Sequence, residues 1–150
     1  MIDCLFCRIV SHNEPAAIVL DDQRFLAFLD DRPLFPGHCL LIPKTHRATL
    51  AELPPEDAAP LVSYAQLLCS ALEDALGAEG AFVAINHRVS QSVPHLHVHV
   101  VPRRRRDGLR GFFWPRQKYR DSAELENVRS KLADAVTRLK SHCKLPPFVS

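Results

Sequence analysis

The stretch Pro94-His95-Leu96-His97-Val98-His99-Val100-Val101-Pro102 holds the densest reactive chemistry in the chain. Its histidines alternate with apolar residues. Alternate side chains of a β-strand share a face, so His95, His97 and His99 would stand in a row at intervals of about 6.6 Å. Leu96, Val98 and Val100 would then enter a core on the other face. Imidazole binds transition metals, carries protons and acts as a nucleophile near neutral pH. A ridge of solvated or metal-bound histidines is the plainer alternative, and the apolar setting favours a site.

A row of this kind needs a sheet to hold it. Glu14–Leu20 and Phe25–Leu29 are short apolar runs separated by Asp21-Asp22-Gln23-Arg24, which reads as a hairpin turn. Asp30-Asp31-Arg32-Pro33 breaks the second run. His38–Pro43 reads as a third strand and Gly80–Asn86 as a fourth, with the histidine stretch as the fifth. Between them Leu61, Tyr64, Ala65, Leu68, Leu72 and Leu76 recur at helical spacing, with Gly77 as the stop and Pro54-Pro55 as the entry. Pro60 fits less well, so the helix starts near Ala59 or kinks there. That stripe is core packing, and Cys69 within it reads as a small buried hydrophobe. Asp121-Ser122-Ala123-Glu124 resembles a capping box ahead of a helix with Leu125, Val128, Leu132, Val136 and Leu139 on one face. The expectation is a single α+β domain over 1–150: an antiparallel sheet of about five meandering strands with two main helices.

Composition sets bounds. A chain of 150 residues can bury a substantial core, and 47% apolar with 24% charged residues is ordinary for a soluble domain. A net charge of +2 is too small to argue for general nucleic-acid or membrane affinity. Asp3, Cys4 and Arg8 interrupt any leader pattern, and no apolar run reaches membrane-spanning length. Five cysteines, an odd number without a framework, fit a reducing cytoplasm. Cys4-Leu5-Phe6-Cys7 leaves zinc, thiol redox chemistry and chance open; a structural zinc would need two further N or S ligands from elsewhere. The run Arg103-Arg104-Arg105-Arg106 reads as a solvated basic edge or a patch steering polyphosphate. Gly111-Phe112-Phe113-Trp114-Pro115 is an aromatic cluster that would seal a core or a subunit interface.

The histidine run resembles the signature of the histidine-triad (HIT) family of nucleotide hydrolases and transferases. Gln91-Ser92-Val93 before it is similar to the family's flanking segment, and Phe35-Pro36-Gly37-His38-Cys39-Leu40-Leu41-Ile42-Pro43-Lys44 to its "PGH…IPK" strand. These landmarks span roughly residues 3 to 102 in the expected order. The resemblance implies a homodimer whose two sheets join edge to edge, with a nucleotide as small-molecule substrate. It also implies a structural zinc on Cys4, Cys7, His46 and His95, as in bacterial relatives. Asp30 would meet the ribose hydroxyls, although a turn-capping aspartate is an equal reading. Asn86 would meet phosphate or ribose, and Gln91 and Ser92 would orient phosphate and leaving group. His38 would help set the hydrogen bonding of the catalytic histidine, with a satisfied structural histidine as an equal reading, and Trp114 is a specificity candidate. The loop His87-Arg88-Val89-Ser90 is shorter than in relatives and lacks glycine, so backbone N–H groups would cradle phosphate less freely, with Arg88 able to supply a contact.

The expected chemistry is attack by His97 on the α-phosphorus of a dinucleoside polyphosphate, nucleoside phosphoramidate or nucleotidyl sugar. Water would then release nucleoside monophosphate from the nucleotidyl-imidazole, with His99 steadying phosphate or leaving group. Two other classes stand beside this one: a nucleotide-binding scaffold with vestigial chemistry, and a metal-storage or redox module built on Cys4, Cys7 and the histidines.

Overall fold

The structure, a computed structural model, describes residues 4–109 and 118–140, the side chains of 135–140 excepted. The chain divides into two compact units, residues 1–107 and 108–150. The first holds α1 (Leu5–Val10), β1 (Ile18–Asp21), β2 (Phe25–Leu29), β3 (Cys39–Pro43), α2 (Pro55–Leu76), β4 (Gly80–Ala84) and β5 (Val98–Arg103). The second holds α3 (Ser122–Lys140). The aromatic cluster around Trp114 lies outside the described residues.

The five strands form one antiparallel sheet in the order β1-β2-β3-β5-β4. The expected meander therefore fails at its last step. After α2 the chain lays β4 at the edge and returns β5 to the middle, between β3 and β4. Val98, Val100 and Val101 are all buried, and β5 is paired along both edges, by β3 and by β4.

Each sheet face has its own core. On one, Phe25, Ala27, Cys39, Leu41, Leu96, Val98 and Val100 pack against Leu61, Ala65, Leu68 and Leu72 of α2. On the other, Leu26, Phe28, Leu40 and Ile42 pack against Phe6 and Ile9 of α1 and against Cys4. Burying each large side chain is worth about 1.5–3 kcal/mol. β2 and β3 thus read as continuous apolar runs because both faces are covered.

Helix α2 starts at Pro55, earlier than Pro60 alone would allow, and runs through Pro60. Pro60 leaves the Glu56 carbonyl without its N–H donor, and Glu56 is exposed, so water can take that bond. The helix stops at Gly77, whose left-handed φ of 61° lets its N–H reach Glu73 O. Cys69 proves half-buried. In α3, Asp121 Oδ1 accepts the Glu124 N–H at 2.8 Å, while the Glu124 carboxylate accepts the Arg120 N–H. Leu125 and Leu132 on the expected packing face of α3 are exposed. No helix among the described residues is long and apolar enough to cross a membrane.

Candidate active site

His95 and His97 lie just ahead of β5, and only His99 lies within it. The row is therefore not one regular strand, because β3 pairs with β5 only from Leu41–Val98 onward. Alternation persists nevertheless: Leu96 sits in the α2-side core, and its N–H donates to Arg47 O at 2.6 Å. His95 and His97 are buried, and His99 is half-buried.

The hydrogen bonds fix where each proton sits. His97 Nδ1 lies 2.7 Å from His95 O. A carbonyl only accepts, so Nδ1 carries the hydrogen and Nε2 keeps its lone pair. His95 Nε2 likewise donates to Pro43 O at 2.8 Å, which leaves Nδ1 bare. His38 Nδ1 accepts the Leu34 N–H at 3.2 Å, so its Nε2–H donates to His99 Nδ1 at 2.9 Å. The His99 proton then resides on Nε2, a buried atom with no protein partner. That nitrogen belongs to the ring packed edge-on against His97, with centroids 4.9 Å apart. A nucleophilic lone pair and an unspent N–H donor thus stand side by side.

Burial favours the neutral rings of His38, His95 and His99. It pushes His99 down to about 4, reinforced by His97 and His38 and opposed by Asp30. Burial also lowers His38, with Asp30 opposing. His95 falls to about 4 for the same first cause, with the Pro43 carbonyl resisting and His46 and His97 assisting.

Cys4 caps the N-terminus of α1 and Cys7 follows one turn later, so both thiols share a face. The thiols, His46 Nδ1 and His95 Nδ1 lie within 4.8 Å of one another. The sulfur–nitrogen separations are 3.4 Å for Cys4–His95, 3.3 Å for Cys7–His46 and 3.6 Å for Cys7–His95. Tetrahedral zinc with Zn–S near 2.3 Å and Zn–N near 2.05 Å sets that edge at about 3.5 Å. The donor set and its spacing fit the metal. Burial, with a contribution from Cys4, pushes the Cys7 thiol up to about 11. A second cluster, Asp30, His38 and His99, is equally close, but both nitrogens of His38 are engaged, by the Leu34 N–H and by His99 Nδ1.

Beside the triad opens a cleft of about 810 Å³, walled by Phe6, Ile9, Ala16, Phe28 and Leu40, with Asp30 and Asp31 among its lining. Asp30 Oδ1 accepts the Arg32 N–H at 2.9 Å, and its other oxygen lies 3.7 Å from His38 Nδ1. It caps a turn and lines the cleft at once. The loop of residues 86–91 is arranged differently from expectation. Arg88 and Ser90 take left-handed φ values of 67° and 59° without being glycine. The Asn86 amide donates to Ser90 O at 3.1 Å. Gln91 Oε1 accepts the Arg88 N–H at 2.9 Å, and Nε2 donates to Ala48 O at 2.6 Å. Both amides brace the loop, and Ser92 is exposed.

The arginine run folds into a turn. Arg103 grips the Asp107 carboxylate at 2.6 and 2.9 Å, Arg104 donates to Leu76 O, and the Arg105 N–H meets Glu79. The sequence reading missed α1 and with it Phe6, which lies edge-on to His97 at 5.3 Å and walls the cleft. The apolar pair Phe6/Ile9 at helical spacing was the available signal.

This chain belongs to the HIT domain family, whose match covers residues 11–106. An adenylylsulfatase of Arabidopsis thaliana is 35% identical over 147 residues, covering 96% of this chain and 72% of the relative. An adenosine 5'-monophosphoramidase of Schizosaccharomyces pombe is 34% identical over 116 residues, covering 76% of this chain and 84% of its own length. Among solved structures, a zinc-bound histidine triad family protein of Mycobacterium smegmatis superposes with a TM-score of 0.69 at 38% identity, covering 89% of this chain and 97% of that one.

Proposed function

We propose that this chain is a nucleotide hydrolase that cleaves at the α-phosphate through a nucleotidyl-His97 intermediate. The observation that carries the reading is the His97 Nδ1–H donated to its own chain at His95 O, which leaves Nε2 bare beside the unpartnered His99 Nε2–H. Nε2 of His97 attacks the α-phosphorus, forming a P–N bond as the bond to the leaving group breaks. His99 Nε2–H donates to the leaving atom or to a phosphate oxygen, where charge develops. Water then attacks the same phosphorus, nucleoside monophosphate departs and His97 is restored. The apolar cleft accepts the base, and Asp30 accepts the ribose hydroxyls.

The residues able to hold a zinc are Cys4, Cys7, His46 and His95. Four protein ligands leave no open position, so the ion would tie α1 to the segment before β5 as a structural element. The substrate class is a dinucleoside polyphosphate, a nucleoside phosphoramidate or an adenylyl anhydride; the activities named for the two relatives fall within the last two. A homodimer is part of the reading, checked by sedimentation equilibrium.

The test is a rapid-quench reaction with radiolabelled diadenosine tetraphosphate, adenosine phosphoramidate and adenylyl sulfate, followed by mass analysis of the protein. An acid-labile AMP adduct that vanishes in a folded, zinc-replete His97→Asn variant is the expected result. AMP binding without adduct or product from any substrate would instead make the chain a nucleotide-binding protein.

A further inference from the structure

Phe6 stands at the meeting point of three features that sequence keeps apart. It lies between the two thiols of the metal cluster, Cys4 and Cys7, on the one short helix that carries both. Its ring meets His95, a cluster member, at 5.8 Å between centroids and His97 edge-on at 5.3 Å. It also packs against Phe28 at 5.3 Å and forms part of the wall of the apolar cleft. Helix α1 has six residues, too few to be stable without its attachments. Those attachments are the burial of Phe6 and Ile9 on the sheet and the clasp at Cys4 and Cys7.

We propose that Phe6 is a positioning residue through which metal binding and nucleotide binding are coupled: the ion at Cys4, Cys7, His46 and His95 fixes α1, and α1 thereby builds the base-binding wall. The inference rests on the nucleotide reading above and adds to it that the metal governs affinity as well as fold. None of the four clasp residues lines the cleft. The path runs through one helical turn and one aromatic ring. Coupling between binding sites is reciprocal, so a nucleotide that favours the ordered wall must tighten the metal by the factor by which the metal tightens the nucleotide.

The experiment measures AMP affinity of the full chain by calorimetry, zinc-loaded and after metal removal, and zinc affinity by chelator competition with and without AMP. Hydrogen exchange at β3 and β5 reports whether the metal-free sheet stays folded. The expected result is a loss of AMP affinity of about five-fold or more on metal removal, matched by an equal gain in zinc affinity when AMP saturates. Exchange should rise in α1 while the sheet stays protected. Equal AMP affinity in the two forms overturns the coupling. Should the metal-free sheet unfold, zinc-loaded Phe6→Leu takes its place. That variant is expected to hold one zinc with wild-type affinity in the absence of nucleotide, to bind AMP several-fold more weakly, and to show a smaller AMP effect on zinc at fixed AMP. Wild-type AMP affinity in it overturns the proposal. Absence of AMP binding to the zinc-loaded wild type would remove the nucleotide reading itself, whereas binding that ignores the metal removes only the coupling.

Discussion

Acid should unfold this protein partly through His99, and the effect can be isolated. Burial and two neighbouring imidazoles hold its folded-state pKa at about 4, against an ordinary value of 6.5. Above the ordinary value both folded and unfolded chains carry a neutral ring, and the contribution is flat. Between that value and about 4 the unfolded chain binds the proton and the folded chain resists it, so stability falls as pH falls through this window. Integrating the difference gives a loss of about 2 kcal/mol by pH 5 relative to pH 7, saturating near 3 kcal/mol below pH 4. The perturbation is His99→Gln, whose amide oxygen can still accept the His38 Nε2–H but cannot titrate. The assay is urea unfolding of wild type and variant, both zinc-loaded, at the two pH values. Proton uptake by the metal ligands is common to both proteins and cancels in the difference. The gap between wild type and variant should narrow by about 2 kcal/mol on acidification. Parallel pH dependences would refute the argument, because His99 would then be no more reluctant to charge in the fold than in the open chain.

Three further outcomes are expected. Gly37 has φ of +101° and an added Cβ would lie 2.4 Å from Leu76 Cδ1, so Gly37→Ala should lower stability by about 1–3 kcal/mol in thermal unfolding. Leu76 is half exposed and can swing aside, so adding Leu76→Ala should not restore it; restoration would place the cost in the clash and not in the backbone. Atomic absorption is expected to read one zinc per wild-type chain and none in Cys7→Ser, whose unfolding temperature should be lower by several degrees; a full equivalent retained in the variant would show that the four-ligand site is not the metal's seat. Gln91→Met cuts the bond that its Oε1 accepts from the Arg88 N–H within the loop and the bond that its Nε2 donates to Ala48 O, so kcat/KM should fall about ten-fold and the Arg88 amide should exchange faster. An unchanged exchange rate with a raised KM would mean that Gln91 meets substrate directly.

Much of this protein is written locally. The two-residue alternation of 95–100 decides that Leu96, Val98 and Val100 enter one core while the histidines face away, and it does so even where the strand has not yet begun. The 3.6-residue stripe from Leu61 to Leu72 specifies a buried helix face, and Gly77 ends it because only a residue at ease with positive φ closes that turn. The chemistry of three imidazoles needs no fold to be noticed.

What the sequence could not give depends on which distant residues become neighbours. Strand order is one case, since β5 is flanked by its immediate predecessor β4 on one edge and by β3, from beyond helix α2, on the other. The side chains around the loop are another. Asn86 and Gln91 look like substrate ligands by type, and only the fold shows that their amides also reach Ser90, Arg88 and Ala48. The four arginines look alike by type, yet the fold sets the Arg103 guanidinium on Asp107 and that of Arg104 on the Leu76 carbonyl. Above all, residue identity makes His97 a possible nucleophile, whereas the folded backbone decides which of its ring nitrogens keeps a lone pair. The site of its proton is set by the His95 carbonyl, and the site of the His99 proton by His38 and Leu34. Side-chain type and period are local properties of a chain. A tautomer is decided by the acceptors that folding brings within about 3 Å of each ring nitrogen, and those come from anywhere.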